Sequence, residues 1–90
     1  MKEFPWFVYI IRNDKGHFYT GITTDLARRF SEHLNSTKGA KFFNTGAPVE
    51  IVYKKKFQNR SLASKFEYYI KSLTRAQKLK LILSKRSFNA

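Results

Sequence analysis

Two runs of strand-forming residues, Trp6–Asn13 (WFVYIIRN) and His17–Thr23 (HFYTGIT), flank the tripeptide Asp14-Lys15-Gly16. Aromatic and β-branched side chains suit a pleated, half-buried surface, and a short connection ending in glycine suits a hairpin with a bulge. This pairing constrains the fold more than any other feature, because a hairpin sets the register of everything on its two strands. With Asn13 paired to His17, Tyr9 stands opposite Gly21, and Tyr19 lies diagonally beside it on the same face. Gly21 projects no side chain, so space is left beside the Tyr9 hydroxyl.

The chain then changes period. Thr23 and Thr24 can cap a helix that starts near Asp25, with Leu26, Phe30 and Leu34 as its buried stripe. The stretch NSTKGAKFFNTGAP, residues 35–48, reads as a loop, and VEIVYKKKF, residues 49–57, as a third strand. Asn59 or Ser61 can cap a second helix striped by Leu62, Phe66, Tyr69, Ile70 and Leu73. Thr74 can cap a last helix, Arg75–Leu83, with Ala76, Leu79, Ile82 and Leu83 inward, before a tail expected to fray over 84–90. The order is ββαβαα. It predicts an α+β fold, a small three-stranded antiparallel sheet flanked by helices, in one domain over residues 1–90 with its core at about 6–83.

Composition narrows the function. Eighteen Lys and Arg face six Asp and Glu, a formal charge of +12, and the excess is uneven: +3 over residues 1–45 and +9 over 46–90. So dense a positive field opposes compaction and favours a polyanion, most simply nucleic acid. Lys38, Lys41, Lys54, Lys55, Lys56, Arg75, Lys78 and Lys80 are the candidates to track a nucleic-acid backbone, contacts that set affinity and salt dependence but read no sequence. With no cysteine, disulfides and thiolate metal sites are excluded. No apolar run is long enough to span a bilayer, and no helix joins a broad apolar face to a basic rim. The expectation is a cytoplasmic protein with no membrane association; a protein partner has no readable signature.

Arg29 and His33 lie four apart on the first helix and share a face, with His33 at the margin of the stripe and Arg29 on its shoulder. Taken alone, two strand tyrosines are good scaffold, and Arg29 and His33 read as a solvated helix edge, with Arg29 or Glu32 in loose surface pairs. Together, VYI at 8–10, YTG at 19–21 and LARRFSEH at 26–33 resemble the GIY-YIG nuclease domain in order and spacing, from about Trp6 to Ile82. GAKFF and SKFEYYIKSLTRAQKLKLI are similar to the short stand-alone bacterial branch of that superfamily. Val8 and Thr20 depart from the tripeptides of the name. The stretch AQKL, residues 76–79, stands where better-studied members carry an asparagine, so only Gln77 or Lys78 could substitute there.

The resemblance implies phosphodiester hydrolysis of DNA. Tyr9 would act in water activation and Tyr19 would position water or substrate. Arg29 would meet the non-bridging phosphate oxygens through its planar fork, and His33 would assist proton transfer or orient Tyr9. Glu67 would hold a single Mg²⁺ or Mn²⁺. With only Glu3, Asp14, Asp25, Glu32, Glu50 and Glu67 as acids, no carboxylate cluster suits two metals. A free phenol is a weak base at neutral pH, and nearby cations such as Arg29 are expected to favour its phenolate. No separate reading module is present, so branched or single-stranded DNA in repair or processing is the expected substrate. The alternative is a non-catalytic basic nucleic-acid-binding module on the same fold.

Overall fold

A computed structural model describes residues 4–35 and 46–88. It contains β1 (Trp6–Asn13), β2 (Phe18–Thr23), α1 (Leu26–Asn35), β3 (Pro48–Phe57), α2 (Arg60–Lys71) and α3 (Arg75–Phe88). The strands form one antiparallel sheet in the order β2-β1-β3, so the α+β, ββαβαα architecture is as expected. The hairpin register pairs Tyr9 with Gly21. Gly16 takes a left-handed φ of 81°, a conformation glycine adopts without steric cost. Asn13, fully buried, ties the turn by accepting the backbone N–H groups of Lys15 (3.0 Å) and His17 (2.8 Å) on its side-chain oxygen.

Central β1 is buried on both faces. Val8 and Ile10 point into the larger cluster, with Val52, Tyr53, Ala63 and Ile70 of α2 and Ile82 of α3. Tyr9 and Ile11 point to the opposite face, where Leu26 and Phe30 of α1, Tyr19 and Ile51 pack on them. The sheet is thus sandwiched between α1 and the α2–α3 pair. In β3 the register slips between Ile10 and Ile11, which pair with Tyr53 and Ile51, leaving Val52 as the extra residue of a bulge. Val52 and Tyr53 consequently both join the larger cluster. The alternation of every residue after them is inverted.

The helices begin much as their caps require, with differences in detail. Asp25, rather than either threonine, caps α1: its carboxylate accepts from the Arg28 N–H at 3.0 Å, while Thr23 Oγ1 accepts from the Asp25 N–H at 3.1 Å. Asn59 caps α2 by accepting from the Leu62 N–H at 3.0 Å. Thr74 and Gln77 form a reciprocal capping box on α3, at 3.2 and 2.9 Å. α3 continues to Phe88, past the boundary expected at Leu83.

The expected stripes are rotated. On α1, Leu34 is 54% exposed while His33 is 1% exposed. Leu26, Phe30 and His33 hold a narrower arc than the i, i+4, i+8 row, which drifts around the helix because its period is 3.6 residues. On α2, Ile70 is buried as expected, but Leu62 and Tyr69 are exposed and Ala63 is buried in their place. On α3 only Ile82 is buried among the four residues expected inward; Ala76, Leu79 and Leu83 face out. A small residue such as Ala63 lets a helix approach the sheet closely, and the larger side chains beside it are turned to the rim.

Candidate active site

Tyr9 lies at the centre of β1, 1% exposed, with its ring reaching across β2 toward Gly21. A Cβ on Gly21 would stand 2.5 Å from the Tyr9 hydroxyl oxygen and 2.8 Å from Cζ, so the glycine is the space the phenol occupies. Tyr19 borders the same hollow, its ring centroid 6.2 Å from that of Tyr9. His33 enters from α1, its Nε2 lying 3.0 Å from the Tyr9 hydroxyl and its ring meeting Tyr19 edge-on at 5.2 Å. One turn earlier on the same helix, Arg29 reaches the Tyr9 hydroxyl with its guanidinium. Its Nη1 also donates to Glu32 at 2.9 Å, and Glu32 takes Arg28 on its other oxygen at 2.9 Å. By sequence alone Glu32 is a loose surface partner. The structure makes it the brace of Arg29, signalled only by the i, i+3 spacing.

Glu67 comes from the other helical layer. The rotation of the α2 stripe from Leu62 to Ala63 turns it toward the sheet, leaving its side chain 22% exposed, and its charge is felt at Tyr9. Lys71 sits on one of its oxygens at 3.1 Å. Among the described residues, no three of His, Cys, Asp or Glu are grouped so as to hold a metal ion. A single carboxylate fits a hard divalent cation only in the Mg²⁺ manner, with waters and substrate phosphate completing the shell.

Burial governs the protonation of this cluster. It pushes the Tyr9 phenol up to about 12, with Tyr19 adding to the rise, Arg29 pulling down and Glu67 adding a smaller increase. The expected stabilisation of phenolate by Arg29 is present, but desolvation outweighs it. Burial, reinforced by the Arg29 charge and partly offset by Glu32, pushes the His33 imidazole down to about 4. At neutral pH, therefore, a neutral phenol meets a neutral imidazole. A Tyr9 O–H that donates to Nε2 requires the tautomer in which Nδ1 carries the ring proton. Burial works to lower the Arg29 value, but the bond to Glu32 and the approach to Tyr9 raise it, so its positive charge is permanent.

The cationic candidates divide. Lys38 and Lys41 lie outside the described residues. Lys54, Lys55 and Lys56 are all exposed, but Lys55 lies over the rings of Phe66 and Phe57, at 5.0 and 5.6 Å. Arg75 donates to the Gly16 carbonyl at 2.9 Å and covers Phe18, which staples α3 to the hairpin turn. Lys78 is partly buried, and Lys80 lines a groove of about 360 Å³ with Tyr69, Leu73 and Gln77. Arg75, Lys78 and Lys80 thus ride on the helix that covers the face opposite Tyr9. Gln77, one of the two possible stand-ins for the family's asparagine, has its amide oxygen committed to the Thr74 N–H.

A β2-β1-β3 sheet between one helix and two, with two tyrosines, an arginine and a histidine gathered on one face, defines a protein of the GIY-YIG nuclease class. The family model described as the GIY-YIG catalytic domain matches residues 5–80, and the chain belongs to that family. Its relatives carry the designation UPF0213. It is 46% identical over 86 residues to UPF0213 protein DP2720 of Desulfotalea psychrophila, covering 94% of this chain and 78% of that one. It is 41% identical to UPF0213 protein YhbQ of Salmonella typhimurium, covering 96% and 85%. The solution NMR structure of UPF0213 protein BH0048 from Bacillus halodurans superposes with a TM-score of 0.59 at 37% identity, over 90% of this chain and 85% of that one.

Proposed function

We propose that the protein is a metal-dependent DNA endonuclease, or nuclease-like repair or processing factor, acting in the cytoplasm on branched or single-stranded DNA. The observation that carries this reading is the 3.0 Å contact between Tyr9 and a buried, neutral His33, inside reach of Arg29. A water beside the scissile phosphate hands a proton to the Tyr9 oxygen as Tyr9 passes its own to His33 Nε2. The high phenol value is no obstacle in such a relay, because free phenolate need never form. Low basicity of His33 keeps it unprotonated and ready to accept at pH 7, and negative charge building on the phosphate favours the imidazolium as the proton arrives. Arg29, held by Glu32, offers its remaining N–H groups to the non-bridging oxygens. Tyr19 packs against both partners and positions the water. A Mg²⁺ or Mn²⁺ held by Glu67 would supply charge for the phosphate and the departing oxygen.

Incubating the protein with branched and single-stranded DNA, in Mg²⁺ or Mn²⁺ against EDTA, tests the reading. Metal-dependent nicking that disappears in Glu67→Ala supports it. The commitment of Gln77 to the α3 cap favours a second reading, a basic module that binds nucleic acid without turnover. Binding that falls with salt, ignores EDTA and survives Glu67→Ala would establish that one instead.

A further inference from the structure

Lys54, Lys55 and Lys56 look equivalent as a basic run, yet alternation separates them and the bulge at Val52 decides which face each takes. Ile51, before the bulge, belongs to the α1 face with Ile11. Uninterrupted alternation would have sent Tyr53 and Lys55 to that same face. The extra residue inverts the phase, so Tyr53 and Lys55 face the α2–α3 layer, as the packing of Lys55 on Phe66 and Phe57 demonstrates. Lys54 is instead the direct cross-strand partner of Tyr9, and Lys56 of Phe7. Opposite partners in an antiparallel pair point to one face, so Lys54 and Lys56 stand on the face of Tyr9. Both are exposed.

The position of β3 matters as much as its phase. Tyr19 and Gly21 lie on β2, to one side of Tyr9, and β3 is the edge strand on the other side. The two lysines therefore extend the site away from the hairpin toward the other edge of the sheet. Alternate residues of a strand are about 6.7 Å apart, close to the separation of successive phosphates along one nucleic-acid strand. Neither lysine has a carboxylate across from it: their β1 partners are Tyr9 and Phe7.

We propose that Lys54 and Lys56 form a phosphate-binding rail that carries one DNA strand from the Tyr9 site outward across β3. The proposal rests on nucleic acid being the substrate, and adds the path, the side of exit and the two residues that hold it. Lys55 is not part of the rail: its ammonium serves the aromatic cluster on the other face.

The test is a fluorescence-anisotropy titration of the whole protein with a labelled single-stranded oligonucleotide, in EDTA, over a series of KCl concentrations. The wild type is compared with Lys54→Gln, Lys56→Gln, the double variant, Lys55→Gln and Lys65→Gln, a charge-matched change on α2. Each rail contact removed should lower the slope of log K against log salt by about 0.7, and the double variant by about 1.4. At about 0.1 M salt this corresponds to roughly fivefold weaker binding per lysine. Lys55→Gln and Lys65→Gln should give distinctly smaller changes. If the wild type binds but all four single variants lose slope equally, only net charge matters and the rail is wrong. Unaltered slopes in Lys54→Gln and Lys56→Gln overturn it too, with the nuclease reading left standing. Absence of any binding by the wild type would overturn the rail, while the nuclease reading stands or falls on the nicking assay with metal.

Discussion

Replacing Gly21 by alanine puts the site geometry at stake with a single methyl group. The added Cβ would lie 2.5 Å from the Tyr9 oxygen, 2.8 Å from Cζ and 3.1 Å from Cε1 of Tyr19, where ordinary contact starts at 3.4 Å. The hydroxyl must therefore retreat by about 0.9 Å. Tyr9 sits on the central strand with helices over both faces, 1% exposed and packed closely enough that its ring has little room to shift. A displacement of that size stretches the 3.0 Å bond to His33 beyond hydrogen-bonding range or drives the oxygen against the ring. Overpacking of this kind costs about 1–3 kcal/mol, and a lost hydrogen bond about 1 more. The lower chain entropy of alanine in the unfolded state returns about 0.4–1 kcal/mol. The net expectation is a loss of about 2 kcal/mol, read by urea denaturation at pH 7 and accompanied by a changed His33 titration in NMR. In the double variant with Tyr9→Phe, the 2.5 Å clash disappears while the 2.8 Å one remains, so the two changes should cost less together than the sum of their separate costs. Unchanged stability with an undisturbed His33 titration in Gly21→Ala would refute the placement of the phenol over the glycine.

His33 is neutral in the folded protein down to about pH 4, whereas its unfolded value is 6.5, so the unfolded chain binds the proton first as pH falls. Stability should be full above pH 6.5 and decline by about 3 kcal/mol by pH 4; a stability profile flat across that window, matching His33→Gln, would contradict this. At the other end, the folded Tyr9 phenol titrates at about 12 against 10 unfolded, so stability contributed by the neutral phenol should be lost between those values. Ultraviolet titration showing every tyrosine ionised near pH 10 in the folded protein would count against its burial. Tyr9→Phe should cut any cleavage by about 10²-fold or more while costing only about 1 kcal/mol of stability; equal cleavage rates would remove Tyr9 from the relay. Thr74→Ala and Gln77→Ala should each destabilise by about 1 kcal/mol, since each removes one of the two bonds of the capping box. Unchanged urea midpoints in both variants would argue against that box.

Local chemistry determined a good deal of this protein before any packing was known. The Asp14-Lys15-Gly16 turn dictated the hairpin register, and with it the meeting of Tyr9, Tyr19 and Gly21. Capping residues marked the starts of α2 and α3, and the order of strand and helix periods specified the architecture. These properties depend on neighbours a few residues away, which a sequence displays directly.

Packing decided the rest. Whether α1 buries Leu34 or His33 depends on a rotation of the helix about its axis, and the 3.6-residue period leaves that angle open until the sheet is in place. The protonation of Tyr9 and His33 was equally hidden: Arg29 and its charge were visible, but the desolvation that outweighs it exists only inside the closed sandwich. The phase of Lys54, Lys55 and Lys56 turned on one extra residue at Val52. A bulge is a mismatch between two strands that meet only on folding, so neither strand read alone can reveal it.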